Sequence, residues 1–143
     1  MSKNNLRAFS VVATVALLLS FSVQAAPLTW TPLTVLGGWV NYEGGTRLPA
    51  GAIDPNNNIV HLRGAIRAET GQSNRRAFRL PADMRPAGDV YVPIDTCNAN
   101  YGRLYIEKTG NVYVQGTAGA IECFVSLEGV SFPKDGAGVG SPI

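Results

Sequence analysis

Apolar and polar residues alternate with a period of two along this chain, and clusters of turn-forming residues interrupt the alternation. The clearest run spans residues 59–68, where one face is polar and the other carries Val60, Leu62, Ile66 and Ala68. Such alternation predicts β-strands with one buried face, and no stretch of the mature chain has a long helical period. Seven or eight short strands at this spacing predict an all-β protein, specifically a jelly-roll-like antiparallel β-sandwich.

Turn chemistry marks the ends of several predicted strands. The residues Asp-Pro-Asn-Asn-Asn at 54–58 predict a turn, because Asx side chains bond to nearby backbone and proline fixes φ. Strands at 101–107 and 112–115 are separated by the four residues 108–111, which include a Gly-Asn pair and predict a β-hairpin.

Three further positions interrupt the strand pattern. Pro93 lacks an N–H donor, so the strand at 90–95 is expected at a sheet edge or at a bulge. Residues 116–119 predict a loop, and Gly129 predicts a bulge within the last strand pattern at 123–132.

Residues 1–25 predict a cleavable secretory signal peptide. Lys3 and Arg7 precede an apolar run at 11–21, and Val23 and Ala25 occupy the −3 and −1 positions of the expected cleavage point. The apolar run is shorter than the ~20 residues of a membrane-spanning helix. We therefore expect a secreted or periplasmic protein in three parts: a signal peptide at 1–25, a β-sandwich domain at 26–132 and a flexible C-terminal tail at 133–143.

The mature chain has almost no net charge. The full chain has 12 basic and 10 acidic residues, and two of the basic residues lie in the predicted leader. Nucleic acids and anionic membrane surfaces attract positive charge. This balance therefore argues against both as partners of the cleaved protein.

The two cysteines, Cys97 and Cys123, both lie beyond the leader. Disulfides persist in the oxidising environment that exported proteins enter, so we predict a disulfide between them. Closing this loop would contribute about 3–4 kcal/mol in the chain-entropy model. A metal or redox site is disfavoured, because the chain has one histidine and no C-x-x-C motif.

No group of residues in the sequence indicates an enzyme active site. The single histidine, His61, lies mid-strand on the predicted solvent face, and no serine stands in a G-x-S-x-G motif. The carboxylates are scattered, although a sheet could bring two of them together as a glycosidase requires. We therefore predict a non-enzymatic protein with no catalytic residue, no metal and no cofactor.

Two groups of side chains are candidates for contact surfaces. Tyr101, Arg103 and Tyr105 alternate with apolar residues along one strand, so they project from the face opposite the core. Tyrosine and arginine are enriched at interfaces, which predicts contact with a subunit or a ligand, although cross-strand packing of the tyrosines explains the pattern as well. A second group could bind acidic sugars or a partner carboxylate, or form an ordinary solvated face: Arg63, Arg67, Arg75, Arg76 and Arg79.

Five segments resemble, in order, the C-terminal head module of phage tail-fibre and baseplate proteins. The first is WTPLTVLGGWVNY at 30–42, which is similar to that module's W-x-x-x-x-L-x-x-G/S-W-V-N-Y opening. VHLRGAI at 60–66 resembles V-H-L-R/K-G, and LPADMRPA at 80–87 resembles L-P-A-G-Y-R-P. YGRLYI at 101–106 resembles Y-G-R-V-D-V, and SLEGVSF at 126–132 resembles S-L-D-G-I-S-F. The matched positions look like core and turn residues, so they carry the fold better than any binding site.

The resemblance implies a jelly-roll-like receptor-binding head, often a homotrimer, that docks on a cell-surface glycan or protein. This chain departs from the pattern by carrying its own leader and a pair of cysteines. We therefore hypothesise a secreted or periplasmic binding module. The alternatives are a structural subunit or cap of a surface fibre and, less favoured, an enzyme that hydrolyses cell-wall glycans.

The alternation predicts a core made of the apolar halves of the strands: Trp39, Val60, Leu62, Ile66, Leu104, Ile106, Val125 and Leu127. Replacing Leu104 with alanine is expected to lower the free energy of unfolding by about 2–5 kcal/mol, because it leaves a cavity in the core. Urea denaturation measures this loss. Tyr101→Ala, on the opposite face of the same strand, is the control and is expected to change stability by no more than about 0.5 kcal/mol. Equal losses in the two variants would contradict the predicted register.

Overall fold

The computed structural model describes residues 25–72 and 75–134. The predicted signal peptide, except for Ala25, lies outside the described residues, and so do residues 135–143 of the predicted tail. Within the described ranges, all strand pairings are antiparallel. The structure therefore confirms the predicted all-β, antiparallel sandwich class.

The strands form two sheets. The smaller sheet has four strands in the order β1 (Thr31–Pro32), β3 (Ala50–Asp54), β4 (Ile59–Arg63) and β11 (Ser131–Pro133). The larger sheet has seven strands in the order β2 (Trp39–Asn41), β5 (Ala65–Ala68), β10 (Val125–Ser126), β7 (Val90–Thr96), β8 (Asn100–Ile106), β9 (Asn111–Gln115) and β6 (Arg76–Arg79).

The larger sheet curves until its two edges nearly meet. Val35 makes an isolated antiparallel bridge with Phe78 of β6, and the Leu36 N–H donates to the Ala77 carbonyl at 2.8 Å. Only a few residues later, the chain forms β2 at the opposite edge of the same sheet. This segment therefore links the two edges, and the sheet is almost a closed barrel.

One apolar core joins the two sheets. It includes Val60 and Phe132 from the smaller sheet and Ile66, Leu104 and Val112 from the larger sheet. All eight residues that the sequence predicts to be core are buried, with exposed fractions of 3% or less. The alternation along the strands therefore identified the buried face correctly.

The run at 59–68 is not the single strand that its alternation predicts. It is divided into β4 and β5, which belong to different sheets, and Gly64 stands between them with φ +93°. The Gly64 N–H donates to Glu128 Oε1 at 2.9 Å, and the Gly64 carbonyl accepts from the Leu127 N–H at 2.9 Å. The chain therefore turns a corner at Gly64 without losing the buried face on either side.

The hairpin between β8 and β9 is confirmed, but its loop is one residue shorter than predicted. Glu107 and Asn111 face each other, with the Glu107 N–H donating to the Asn111 carbonyl at 2.9 Å. Gly110 has φ +93°, the conformation that three-residue hairpin loops require. This change of one residue decides which side chains lie opposite each other.

β7 is an interior strand of the larger sheet and not the edge strand that the sequence predicts, but Pro93 lies where it has only one neighbour. β7 pairs with β8 along its whole length, whereas β10 pairs with it only at Thr96. The missing N–H of the proline therefore interrupts no pairing.

A short helix, α1 (Ala118–Cys123), replaces part of the predicted loop and the start of the predicted last strand. It buries Ala120 and Ile121, and six residues are too few to show a helical period in the sequence. Gly129, predicted as a bulge, lies instead in a turn with φ +78° between β10 and β11, which belong to different sheets. Among the described residues no helix reaches the length and apolarity needed to cross a membrane.

The predicted disulfide is present. Cys97 begins a 3-10 turn just before β8, and Cys123 ends α1. Their Cα atoms are 5.6 Å apart, inside the range of about 4.4–6.8 Å usual for bridged cysteines. The disulfide thus ties the helix to the start of the strand that carries the candidate contact residues.

The first residues of the predicted tail are part of the fold. Pro133 belongs to β11 and pairs with Ile59. The Lys134 N–H donates to the Asn58 carbonyl at 2.9 Å, and its own carbonyl accepts from the Ala87 N–H at 2.8 Å. The sheet therefore extends past residue 132.

Replacing Gly64 with alanine is expected to lower the free energy of unfolding by about 1–3 kcal/mol, because φ is positive there and a side chain is strained. The new Cβ would also lie only 2.6 Å from the carbonyl carbon and oxygen of Leu48. Gly119→Ala in α1 is the matched control, since nothing lies within 4 Å of its Cβ position. Urea denaturation compares them, and a Gly64→Ala protein as stable as the control would contradict this account of the corner.

Candidate binding face

Three tyrosines form a row across the outer face of the larger sheet. The register places Tyr91 of β7 opposite Tyr105 of β8, and Tyr105 opposite Tyr113 of β9. The ring centroids are 4.8 Å and 5.6 Å apart, and the planes are inclined by 17° and 24°, so the rings are stacked. We call Tyr91, Tyr105 and Tyr113 the tyrosine row.

Stacking determines which parts of the tyrosine rings are exposed to solvent. Tyr105 has a ring on each side, so its edge and hydroxyl are the parts left for other contacts. Tyr91, at the end of the row, is 57% exposed. Stacked aromatic pairs contribute about 0.5–1.5 kcal/mol beyond their buried area, so stacking helps to hold the row in place.

Arg103 lies beside the tyrosine row. Its guanidinium carbon lies 4.9 Å from the centroid of the Tyr91 ring, and its Nε donates to the Gln115 side chain. The register places Arg103 between Pro93 and Gln115, in the row of side chains next to the tyrosines. Together these contacts give the planar, charged group a defined position on the face.

Asp89 holds the Tyr105 hydroxyl. Tyr105 donates to Asp89 Oδ2 at 2.8 Å, and the Lys108 N–H donates to Asp89 Oδ1 at 2.9 Å. The Lys108 N–H and the Tyr105 hydroxyl together lower the pKa of Asp89 below its usual value. The hydrogen bond to this carboxylate, with a smaller effect of burial, raises the pKa of Tyr105 to about 12.

Glu107 lies at the hairpin end of the same face. Its carboxylate accepts from the Asn111 amide at 2.9 Å and from the Thr109 hydroxyl at 2.8 Å. These hydrogen bonds lower the pKa of Glu107, the one from Asn111 first. Asp89 and Glu107 are therefore ionised at neutral pH, and each is already bonded to donors of the protein.

The predicted surface residues do not form one cluster. Arg103 and Tyr105 lie at the tyrosine row, whereas Tyr101 lies further along β8, opposite Asp95. Tyr101 is 81% exposed and lines an open cavity of about 280 Å³ together with Asp95, Glu128 and Gly129. The face therefore consists of the tyrosine row with Arg103, and a neighbouring cavity beside Tyr101.

Sequence reasoning missed Tyr91 and Tyr113. Both occupy outward positions of predicted strands, so their alternation was a usable signal. The four-residue loop predicted for the hairpin would pair Glu107 with Val112 and set Tyr105 opposite Val114, whereas the observed loop sets it opposite Tyr113. A one-residue error in a hairpin loop changes every cross-strand pair.

The predicted group of five arginines is divided between the two sheets. Arg63 belongs to β4 of the smaller sheet, and Arg67 belongs to β5 of the larger sheet. Arg76 lies opposite Tyr113 at the end of the tyrosine row, and Arg79 donates to the Thr109 carbonyl at 3.4 Å. Arg75, just before β6, donates to the Gly116 carbonyl at 3.5 Å. Of the group, Arg76 and Arg79 of β6 therefore adjoin the candidate face.

The carboxylates of the candidate face differ from the general acid of a glycosidase in the direction of their pKa shifts. A glycosidase needs one carboxyl whose pKa is raised so that it can donate a proton, and both Asp89 and Glu107 have lowered pKa values. His61 lies in β4, on the other sheet, opposite Ala52 and Ser131. In the described part of the chain, no three metal-ligating side chains come together.

Comparison with known proteins supports the fold. No protein-family model matches the chain, and no curated protein matches it. Among solved structures, the chain is similar to the crystal structure of the receptor binding protein (gp15) of Listeria phage PSA, with a TM-score of 0.62 and 16% sequence identity. The match covers 76% of this chain and 66% of that chain, which is just under two thirds of its length. The chain therefore has a fold seen in a phage receptor-binding protein, as the resemblance of its five sequence segments implies.

Replacing Asp89 with asparagine is expected to return the pKa of Tyr105 from about 12 towards about 10, because the charged acceptor is lost. The raised pKa means that this contact stabilises the fold below pH ~10 and that its contribution is lost as the pH rises through Tyr105's folded value. Tyrosinate absorbance during an alkaline titration measures the pKa. Asp95→Asn, which removes an equal charge opposite Tyr101, is the control, and an unchanged titration of Asp89→Asn would refute the hydrogen bond.

Proposed function

We propose that this chain is a non-enzymatic binding module that attaches to a molecule on a cell surface through the tyrosine row and Arg103. The observation that carries the proposal is the solvent-facing stack of Tyr91, Tyr105 and Tyr113, in register across three strands. The core is built from the other face of these strands, so the stack is not required to fill it. The fold shared with a phage receptor-binding protein is consistent with this role.

The tyrosine row suits binding because its rings and charges are already ordered. Tyrosine offers a large amphipathic surface and loses few rotatable bonds on binding, and the stacking removes part of that loss in advance. Arg103 is oriented by Tyr91 and Gln115, and Asp89 orients the Tyr105 hydroxyl. A partner therefore meets groups whose positions are set by the sheet.

A glycan is the ligand class that this face favours. Phenol hydroxyls, a guanidinium and two ionised carboxylates offer donors and acceptors to sugar hydroxyls, and ring edges contact apolar C–H groups. Both carboxylates lie at the hairpin end of the row, and their lowered pKa values support binding without cleavage. A surface protein is the other candidate partner, and protease treatment of cell envelopes distinguishes it from a glycan.

The proposed module works outside the cytoplasm, in the periplasm or in the medium. The predicted leader supports export, and the bond between Cys97 and Cys123 suits an oxidising compartment. Association as a homotrimer, which the family resemblance implies, would bring several copies of the face to one surface and raise the apparent affinity through multivalency.

A variant with both Arg103→Ala and Tyr105→Ala is expected to bind its ligand at least about tenfold more weakly, because arginine and tyrosine are the residues most often found at binding hot spots. The mature protein is applied to an array of bacterial surface glycans and to protease-treated and untreated cell envelopes. Binding that survives protease and appears on the array indicates a glycan, whereas binding abolished by protease indicates a protein.

Arg67→Ala is the matched control, because it removes an exposed arginine from β5 of the same sheet. Circular dichroism and sedimentation of each protein test its fold and its oligomeric state. If the double variant stays folded, keeps the wild-type oligomeric state and binds unchanged, the tyrosine row is ordinary surface. A bound glycan recovered in shortened form would show that the protein is an enzyme.

A further inference from the structure

A second concave site lies on the smaller sheet, away from the tyrosine row. The segment before β1 and the loop before β3 border an open cavity of about 320 Å³. The register places Pro32, Ala50 and Arg63 side by side across β1, β3 and β4 beneath it. We call this cavity the Trp30 pocket, and its walls include Trp30, Pro32, Arg47, Leu48, Ala50 and Arg63.

Arg63 is one of the two charged residues that line this pocket. Its guanidinium carbon lies 4.3 Å from the centroid of the Trp30 ring, so the cation is stacked on the indole. Its Nε is buried, and no atom of residues 25–72 or 75–134 accepts a hydrogen bond from it. A guanidinium has five N–H donors in a rigid plane, and a buried donor without an acceptor is unfavourable. Arg63 is therefore held in place with hydrogen-bonding capacity to spare.

The charge around the pocket is positive. Arg47 forms a two-pronged salt bridge with Glu128, and Glu128 also accepts from the Gly64 N–H. The pKa of Glu128 is lowered, first by the hydrogen bond from Arg47 and also by the charges of Arg47 and Arg63. The charges of two guanidinium groups therefore act on one carboxylate, and none of the described residues that line the pocket is acidic.

The remaining wall is apolar and open. The Leu48 side chain is 67% exposed, one of the largest exposures of an apolar side chain in the described chain. Leu48, Pro32 and the Trp30 ring together offer an apolar surface next to the guanidinium of Arg63. Small-ligand sites combine such surfaces with a few directed polar groups and have volumes from about 300 Å³, which is room for one sugar ring.

We propose that the Trp30 pocket binds a single sugar-sized ring that carries an oxyanion, with the anion on Arg63 and the ring against Leu48. The anion can be a carboxylate, as in a uronic acid, or a phosphate, since arginine pairs with both in two-pronged geometry. Arg47 supports the site by neutralising Glu128, so that this carboxylate does not offset the charge of Arg63. This site does not depend on the tyrosine row.

The test is a titration of the mature protein with glucuronic acid, glucose 6-phosphate and neutral glucose, followed by NMR at the Trp30 indole N–H. At least one of the two anionic sugars is expected to shift this resonance in a saturable manner, and glucose is expected to bind at least tenfold more weakly or not at all. The tighter of the two anions identifies the chemical source of the charge. Raising the salt concentration is expected to weaken the binding, because the pocket is open to solvent.

Two variants and two controls locate the site. Arg63→Gln and Leu48→Ala are each expected to weaken binding of the anionic sugar, the first at least tenfold and the second severalfold. Leu48→Ala changes an exposed side chain, so it tests the site even if Arg63→Gln does not fold. Arg67→Gln and Arg79→Gln each remove an equal charge from an exposed position on the larger sheet, away from the pocket, and both controls are expected to bind like the wild type.

Three outcomes would overturn the proposal. The first is glucose binding as tightly as the anions, and the second is an equal loss in Arg67→Gln and Arg63→Gln. The third is a Trp30 resonance that does not shift with any of the three sugars at tens of millimolar. If this resonance shifts only with protein concentration, the pocket is a contact between copies of the chain and the proposal is wrong. Sedimentation of the same samples identifies that case.

Discussion

The corner at Gly64 is the constraint on which the arrangement of the two sheets depends. One alternating run supplies a strand to each sheet, and the chain can turn between them only where a positive φ is tolerated and no Cβ meets the backbone of Leu48. At such a corner, backbone N–H and carbonyl groups lose the hydrogen bonds that a continuous strand would make with its neighbours. Here Leu127 and Glu128 satisfy them, and Arg47 holds the Glu128 carboxylate in position. The corner thus links the first half of the chain to its last strands.

The same corner separates two surfaces that differ in chemistry. On the larger sheet, regular pairing of β7, β8 and β9 aligns Tyr91, Tyr105 and Tyr113, and the order of that face comes from cross-strand stacking. On the smaller sheet, Arg63 precedes Gly64 and lies under Trp30, where the short β1 leaves an open pocket. One face offers hydroxyls and ring edges, whereas the other offers a cation beside an apolar wall.

Fold and function are supported by different observations in this protein. The likeness to a phage receptor-binding protein at 16% identity shows a shared fold, and folds of this kind are compatible with many ligands. The functional proposals therefore depend on side chains of this chain. They are the stacked tyrosines beside Arg103, the ionised carboxylates of Asp89 and Glu107, and the buried Arg63 Nε, which has no acceptor among the described residues.

The sequence by itself determined the all-β class, the buried face of every predicted core residue and the pairing of Cys97 with Cys123, because these follow from local alternation and from there being only two cysteines. The sequence did not predict the strand ends, the six-residue helix or the division of residues 59–68 between two sheets, since each depends on contacts with distant segments. The candidate site shows the same limit. Alternation placed Arg103 and Tyr105 outward. The stacking of Tyr105 on Tyr113 depends on the hairpin loop having three residues and not four, which only the pairing of the two strands shows. The meeting of Trp30 with Arg63 likewise required β1 to reach the smaller sheet, because residues 33 positions apart in sequence approach only when the whole chain has folded.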